Sequence, residues 1–74
     1  MIICCRSQLE VGKLYREPFI EIFDGNGIGH FNIPHLILRE VSQKEWENYY
    51  NANNEEINLL NKKGLKYFYE ISID

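Results

Sequence analysis

The apolar pattern changes its period twice along the chain. Before Val41 the apolar residues fall in short runs rich in Ile, Leu and Phe, which predicts strands. Residues 1–5, 11–16, 19–23, 30–33 and 35–41 are the candidates. Gly12 suggests a bulge in the second run. Pro18 and Pro34 lack an N–H and place breaks beside the third and the fifth. Residues 6–10 are polar and predict a loop. Residues 24–29 hold Gly25, Asn26, Gly27 and Gly29, which tolerate the positive φ of a chain reversal.

From Ser42 the spacing becomes helical. Ser42 with Glu45 three residues on is a capping box, and Val41 with Trp46 fits the hydrophobic staple that accompanies it. Trp46, Tyr49, Tyr50, Asn53, Ile57 and Leu60 then share one stripe. Lys62 and Lys63 suit the negative end of the helix dipole, and Gly64 suits a left-handed stop. Together these predict one helix over about 43–63. Residues 51–54 are weak helix, which leaves open a break near Asn54, or a hairpin pairing 57–60 with the last strand. The stripe running through the segment favours the helix. Residues 65–74 alternate, with Leu65, Tyr67, Tyr69, Ile71 and Ile73 apolar and the other side polar except Phe68. That is a final strand with one buried face.

The expected fold class is α+β: a small, mainly antiparallel sheet of four to six short strands, covered on one face by the helix over about 43–63 and followed by a final strand. The alternative is an SH3-like small barrel with an appended helix, suggested by Leu9, Glu10, Val11 and Gly12 leading into a strand. A chain of 74 residues is expected to form one domain over 1–74. Such a chain buries only about 60% of its unfolded surface, so a dimer or a partner would help it.

Composition works mainly by exclusion. Apolar residues at 45% and charged residues at 26% are ordinary for a folded chain. A net charge of −3 is the wrong sign for a typical nucleic-acid binder and too mild for a DNA mimic. The longest apolar run, 1–5, is too short to span a bilayer, and Arg6 closes it before a leader can form. No membrane contact and a cytoplasmic location are therefore expected. Ten Ile, eight Asn, five Lys and five Tyr have AT-rich codons, pointing to a phage, another virus or a low-GC bacterium.

Candidate chemistry is sparse. Cys4 and Cys5 are adjacent, so in a strand they face opposite sides and form neither a relaxed disulfide nor a zinc pair. They read as buried small hydrophobes in a reducing compartment. The glycines at 25, 27 and 29 lead into His30 and Phe31 rather than a helix, which argues against a phosphate cradle. Asp24 and Asn26 resemble the start of a calcium loop, but Ile28 and His35 stand where oxygen ligands belong. His30 and His35 could each act as a base, but the sequence places no Ser or Cys nucleophile near them; a Cys4/His35 pair across adjacent strands is geometrically possible, yet nothing demands it. Glu17, Glu21 and Asp24 read as solvated carboxylates. The expectation is no catalytic, cofactor or metal site.

What remains is aromatic surface. Phe19 and Phe23, with Phe31 beyond the loop, put apolar residues on both sides of one hairpin, more than one helix can cover. With Trp46, Tyr49 and Tyr50 they form a candidate partner-binding set. The expectation is a non-enzymatic protein-interaction module, a small inhibitor or accessory factor, bound to a protein partner or to itself as a homodimer. A nucleic-acid alternative uses the basic and aromatic segment 62–69: Lys62, Lys63, Lys66, Tyr67 and Tyr69. Leu65, Lys66 and Glu70 depart from the RNA-binding strand motif there. A second alternative is a small enzyme subunit using a histidine.

Overall fold

The structure, a computed structural model, describes residues 1–16, 21–23, 28–30 and 34–72. Expectations for Glu17, Pro18, Phe19, residues 24–27, Phe31 and Ile73 lie outside the described residues. The elements run β1 (Ile2–Cys5), β2 (Leu14–Tyr15), β3 (Glu21–Phe23), β4 (Ile28–His30), β5 (His35–Val41), α1 (Gln43–Tyr50), α2 (Asn54–Lys63) and β6 (Tyr67–Ile71). The strands form one sheet in the order β2-β5-β6-β1-β3-β4, and every neighbouring pair is antiparallel. This is the expected α+β class. Among the described residues the sheet is open, ending at β2 and β4, so it is not the alternative barrel.

The helical region is two helices rather than one. Ser42 caps α1 as expected, its hydroxyl accepting from the Glu45 N–H at 3.1 Å. The chain then leaves the helix at Asn51, which adopts the left-handed conformation (φ 52°, ψ 49°). The Ala52 N–H closes this end by donating to the Glu47 carbonyl at 2.9 Å. Asn53 starts α2 with a reciprocal capping box. Its side chain accepts from the Glu56 N–H, and the Glu56 carboxylate accepts from the Asn53 N–H. Asn53 and Glu56 have the required spacing, so the restart was written in the sequence. Residues 57–60 are helical, which excludes the hairpin. Gly64 ends α2 at φ 72°.

Two apolar clusters sandwich the sheet. On the helical side Ile2, Cys4, Phe23, Val41 and Phe68 meet Trp46 of α1, Leu60 of α2 and Leu65. On the other side Ile3, Cys5, Ile37, Tyr69 and Ile71 meet Leu9 and Tyr15. The second cluster is covered by residues 6–15, where the sequence predicts a loop over 6–10 and a strand over 11–16. Gly12 lies in a turn at φ 87° rather than in a bulge, and only Leu14 and Tyr15 of that run join the sheet. The face of β6 bearing Tyr67, Tyr69 and Ile71 therefore lies under this segment, while Phe68 on the opposite face packs beneath the helices. Each face of β6 thus buries apolar side chains, and on the helical side Phe68 is joined by the polar Glu70.

Candidate interaction surface

The helical-side core is organised around Trp46, which is fully buried. Its ring lies 5.7 Å from Phe23, 5.3 Å from Tyr50 and 6.1 Å from Phe68, all tilted. The Tyr50 hydroxyl donates to the Ile2 carbonyl of β1, tying α1 to the sheet. Among the described residues the Trp46 indole N–H has no hydrogen-bond partner. Of the aromatic set expected at a partner surface, Phe23 and Trp46 are thus buried in the core, and Tyr50 is half-buried against it. Tyr49 is 54% exposed and stands edge-on to Tyr50 with centroids 4.7 Å apart.

The other face of the sheet is not spare area either. The Leu9 N–H donates to the Tyr69 hydroxyl at 2.9 Å, and the Glu10 N–H donates to the Tyr15 hydroxyl at 2.8 Å. These bonds pin residues 6–15 over Ile3, Cys5 and Ile37. The apolar excess that argued for a partner is, for the described residues of this face, met within the chain. Leu9, one apolar residue in a polar run, was the signal for this cover.

Exposed apolar side chains gather elsewhere, at the β2/β5 margin. Val11, Leu14 and Leu38 are 52%, 59% and 45% exposed. Leu14 pairs with Leu36 of β5. Val11 precedes Gly12, whose N–H donates to the Ile37 carbonyl at 2.8 Å. Leu38 is the extra residue of a bulge, because Ile37 lies opposite Ile71 and Arg39 opposite Glu70. None of these leucines stood out in the sequence, where Leu14 and Leu38 read as ordinary strand residues.

Beside this margin, Arg39 reaches across the helical side of the sheet. It donates to both carboxylate oxygens of Glu45 on α1 and, through Nε, to Glu70 on β6. The Glu45 carboxylate therefore serves Arg39 rather than the Ser42 backbone, and this hydrogen bond lowers its pKa. Arg39 and Glu45 are exposed and Glu70 is only half-buried, so the network adds little stability.

The remaining candidates do not converge. His30 is on β4 and His35 on β5, with β6, β1 and β3 between them. β6 also separates Cys4 from His35, so the two are not on adjacent strands. His35 Nδ1 lies 2.9 Å from the Ser72 carbonyl, an acceptor only, so that nitrogen carries a hydrogen. Burial pushes both thiols up to about 12, with Cys5 adding to the effect at Cys4. They are poor nucleophiles near neutrality. Among the described residues no three His, Cys, Asp or Glu side chains are grouped to hold a metal ion. Lys62, Lys63 and Lys66 are exposed around the end of α2, where Arg6 Nε donates to the Lys63 carbonyl at 2.8 Å. Tyr67 is half-buried, with Lys66 Nζ 5.7 Å from its ring centroid. Tyr69 is fully buried beneath Leu9 and presents no ring for a base to stack on.

The arrangement defines a small open-sheet α+β fold, covered by two helices on one side and by its own loop on the other, with an apolar margin at β2 and β5. No described helix is long and apolar enough to cross a membrane. Comparison with known protein families, with characterised proteins and with solved structures finds no match to the chain.

Proposed function

We propose that the chain is a non-enzymatic protein-interaction module, a small inhibitor or accessory factor of phage, viral or low-GC bacterial origin acting in the cytoplasm. One observation carries the reading: three of the most exposed large apolar side chains border β5 at one margin of the sheet, Leu14 opposite Leu36, Leu38 in the bulge after Ile37, and Val11 beside Gly12, whose N–H bonds the Ile37 carbonyl. Single exposed leucines are ordinary on a protein surface, but apolar side chains collected in one place mark contact sites. The partner surface thus moves from the Trp46 set to this margin, with Tyr49 remaining as an exposed aromatic on α1. The partner is another protein or a second copy of the chain.

The test compares the tagged wild-type chain with a Leu14→Ser/Leu38→Ser variant as baits in extract of the source cell. Circular dichroism checks that both are folded, and light scattering at micromolar concentration reports self-association. A protein or a dimer held by the wild type, and held at least about tenfold less by the variant, supports the reading. Equal capture by both baits, or a monomer that holds nothing, refutes it.

A further inference from the structure

The β2/β5 margin also exposes unpaired backbone. The Ile71 N–H donates to the Met1 carbonyl at 2.8 Å, so Ile71 directs its backbone at β1. Alternation then turns Glu70 and Phe68 toward β5, and Tyr69 toward β1. Arg39 and Val41 lie opposite Glu70 and Phe68 and are bonded to β6. Glu40 lies opposite Tyr69, so its N–H and C=O point away from β6. β2 does not reach this far. It pairs with β5 only at His35 and Leu36, and the Lys13 carbonyl and Gly12 N–H complete the Ile37 backbone before the chain turns away. Among the described residues the outer edge of β5 beside Glu40 is open. Exposed Leu38 and Val11 flank it.

The charge at this edge selects its occupant. Arg39 is already paired with Glu45 and Glu70. Val41 packs on the helical side and Arg39 reaches α1 on that side, so the Glu40 side chain lies on the opposite face. It is exposed, and no hydrogen bond or ion pair engages it among the described residues. A second copy is a poor fit. Two-fold antiparallel pairing of β5 with itself through its outward residue puts Glu40 directly across from Glu40 of the other copy, a like-charge pair. A strand with a cation at that position removes the conflict.

We propose that the open edge of β5 takes up an extended segment of a partner protein by strand addition, with a Lys or Arg of that segment opposite Glu40 and apolar residues against Leu38 and Val11. This rests on the interaction-module reading and specifies the partner's chemistry at the same margin. The probe is an acetylated seven-residue peptide alternating Val and Lys. The same peptide with Glu for Lys is the control. Amide exchange of the whole chain is followed by NMR.

The Lys peptide slows exchange of the Glu40 amide by about tenfold, with shifts confined to residues 11–14 and 36–41. The Glu peptide has no effect on the wild type and takes over in Glu40→Lys. Equal effects of both peptides, protection centred elsewhere, or a Glu40 amide indifferent to either peptide overturns the proposal. So does Glu40 protection that rises with protein concentration without peptide, which assigns the edge to a second copy. The bait comparison with Leu14→Ser/Leu38→Ser is read separately, so the edge can fail while the interaction reading stands.

Discussion

Tyr69→Phe removes one oxygen and tests how the second face of the sheet is closed. That oxygen accepts the Leu9 N–H at 2.9 Å in a buried setting. The phenylalanine ring still fills the site, so little packing is lost. The Leu9 amide is left buried without a partner, at a cost of about 1–3 kcal/mol. A middle value of about 2 kcal/mol is about thirtyfold in the opening equilibrium of the 6–15 segment. Cys5 lies in the cluster under that segment, whereas Cys4 lies under the helices. A thiol-reactive dye at constant pH should therefore label Cys5 about thirtyfold faster in Tyr69→Phe, measured in a Cys4→Ala background. Cys4, measured in a Cys5→Ala background, should accelerate much less. An unchanged Cys5 rate refutes the pinning role of the hydroxyl. Equal acceleration of both thiols refutes a separately opening cover, because it means that the whole domain unfolds at once.

Three further outcomes follow from the same geometry. Burial pushes the Cys4 and Cys5 thiols from 9.0 when unfolded up to about 12 when folded, so the unfolded state binds fewer protons between these values. Their contribution to stability is present below pH 9 and falls as pH rises toward 12; a Cys4→Ala/Cys5→Ala variant should show a shallower alkaline decline in urea titrations, and equal slopes count against it. Gly64→Ala should cost about 1 kcal/mol of unfolding free energy, arising from the φ of 72° rather than a clash, since among the described residues an added Cβ meets only Arg6 Cγ at 3.9 Å. Asn53→Ala should lose about 1 kcal/mol with its capping box, read as a lower urea midpoint at unchanged slope, whereas the neighbouring exposed substitution Asn54→Ala should be close to neutral.

The local signals in this chain were strong where one residue type decides a conformation. The Ser42 cap, the Gly64 stop and the extent of β5 are readable without neighbours, because each depends on a hydrogen bond or a φ angle within a few residues. The restart at Asn53 was equally local; the unbroken apolar stripe obscured it. The candidate site was less legible. Trp46 and Phe23 have the composition of a contact surface, but exposure is set by what packs on a residue. Here the two helices fold back over the sheet and bury both.

The sequence alone determined the start of α1 at Ser42, the end of α2 at Gly64 and the alternation that makes strands two-faced, since these arise from short-range sterics and capping. Only the tertiary structure decided which face each cover occupies. A single Leu9 in a polar run becomes a lid because Tyr69, distant in the chain, supplies the acceptor for its N–H. The openness of β5 at Glu40 was decided in the same way: it depends on where β2 stops alongside it, a relation between segments that carries no local pattern.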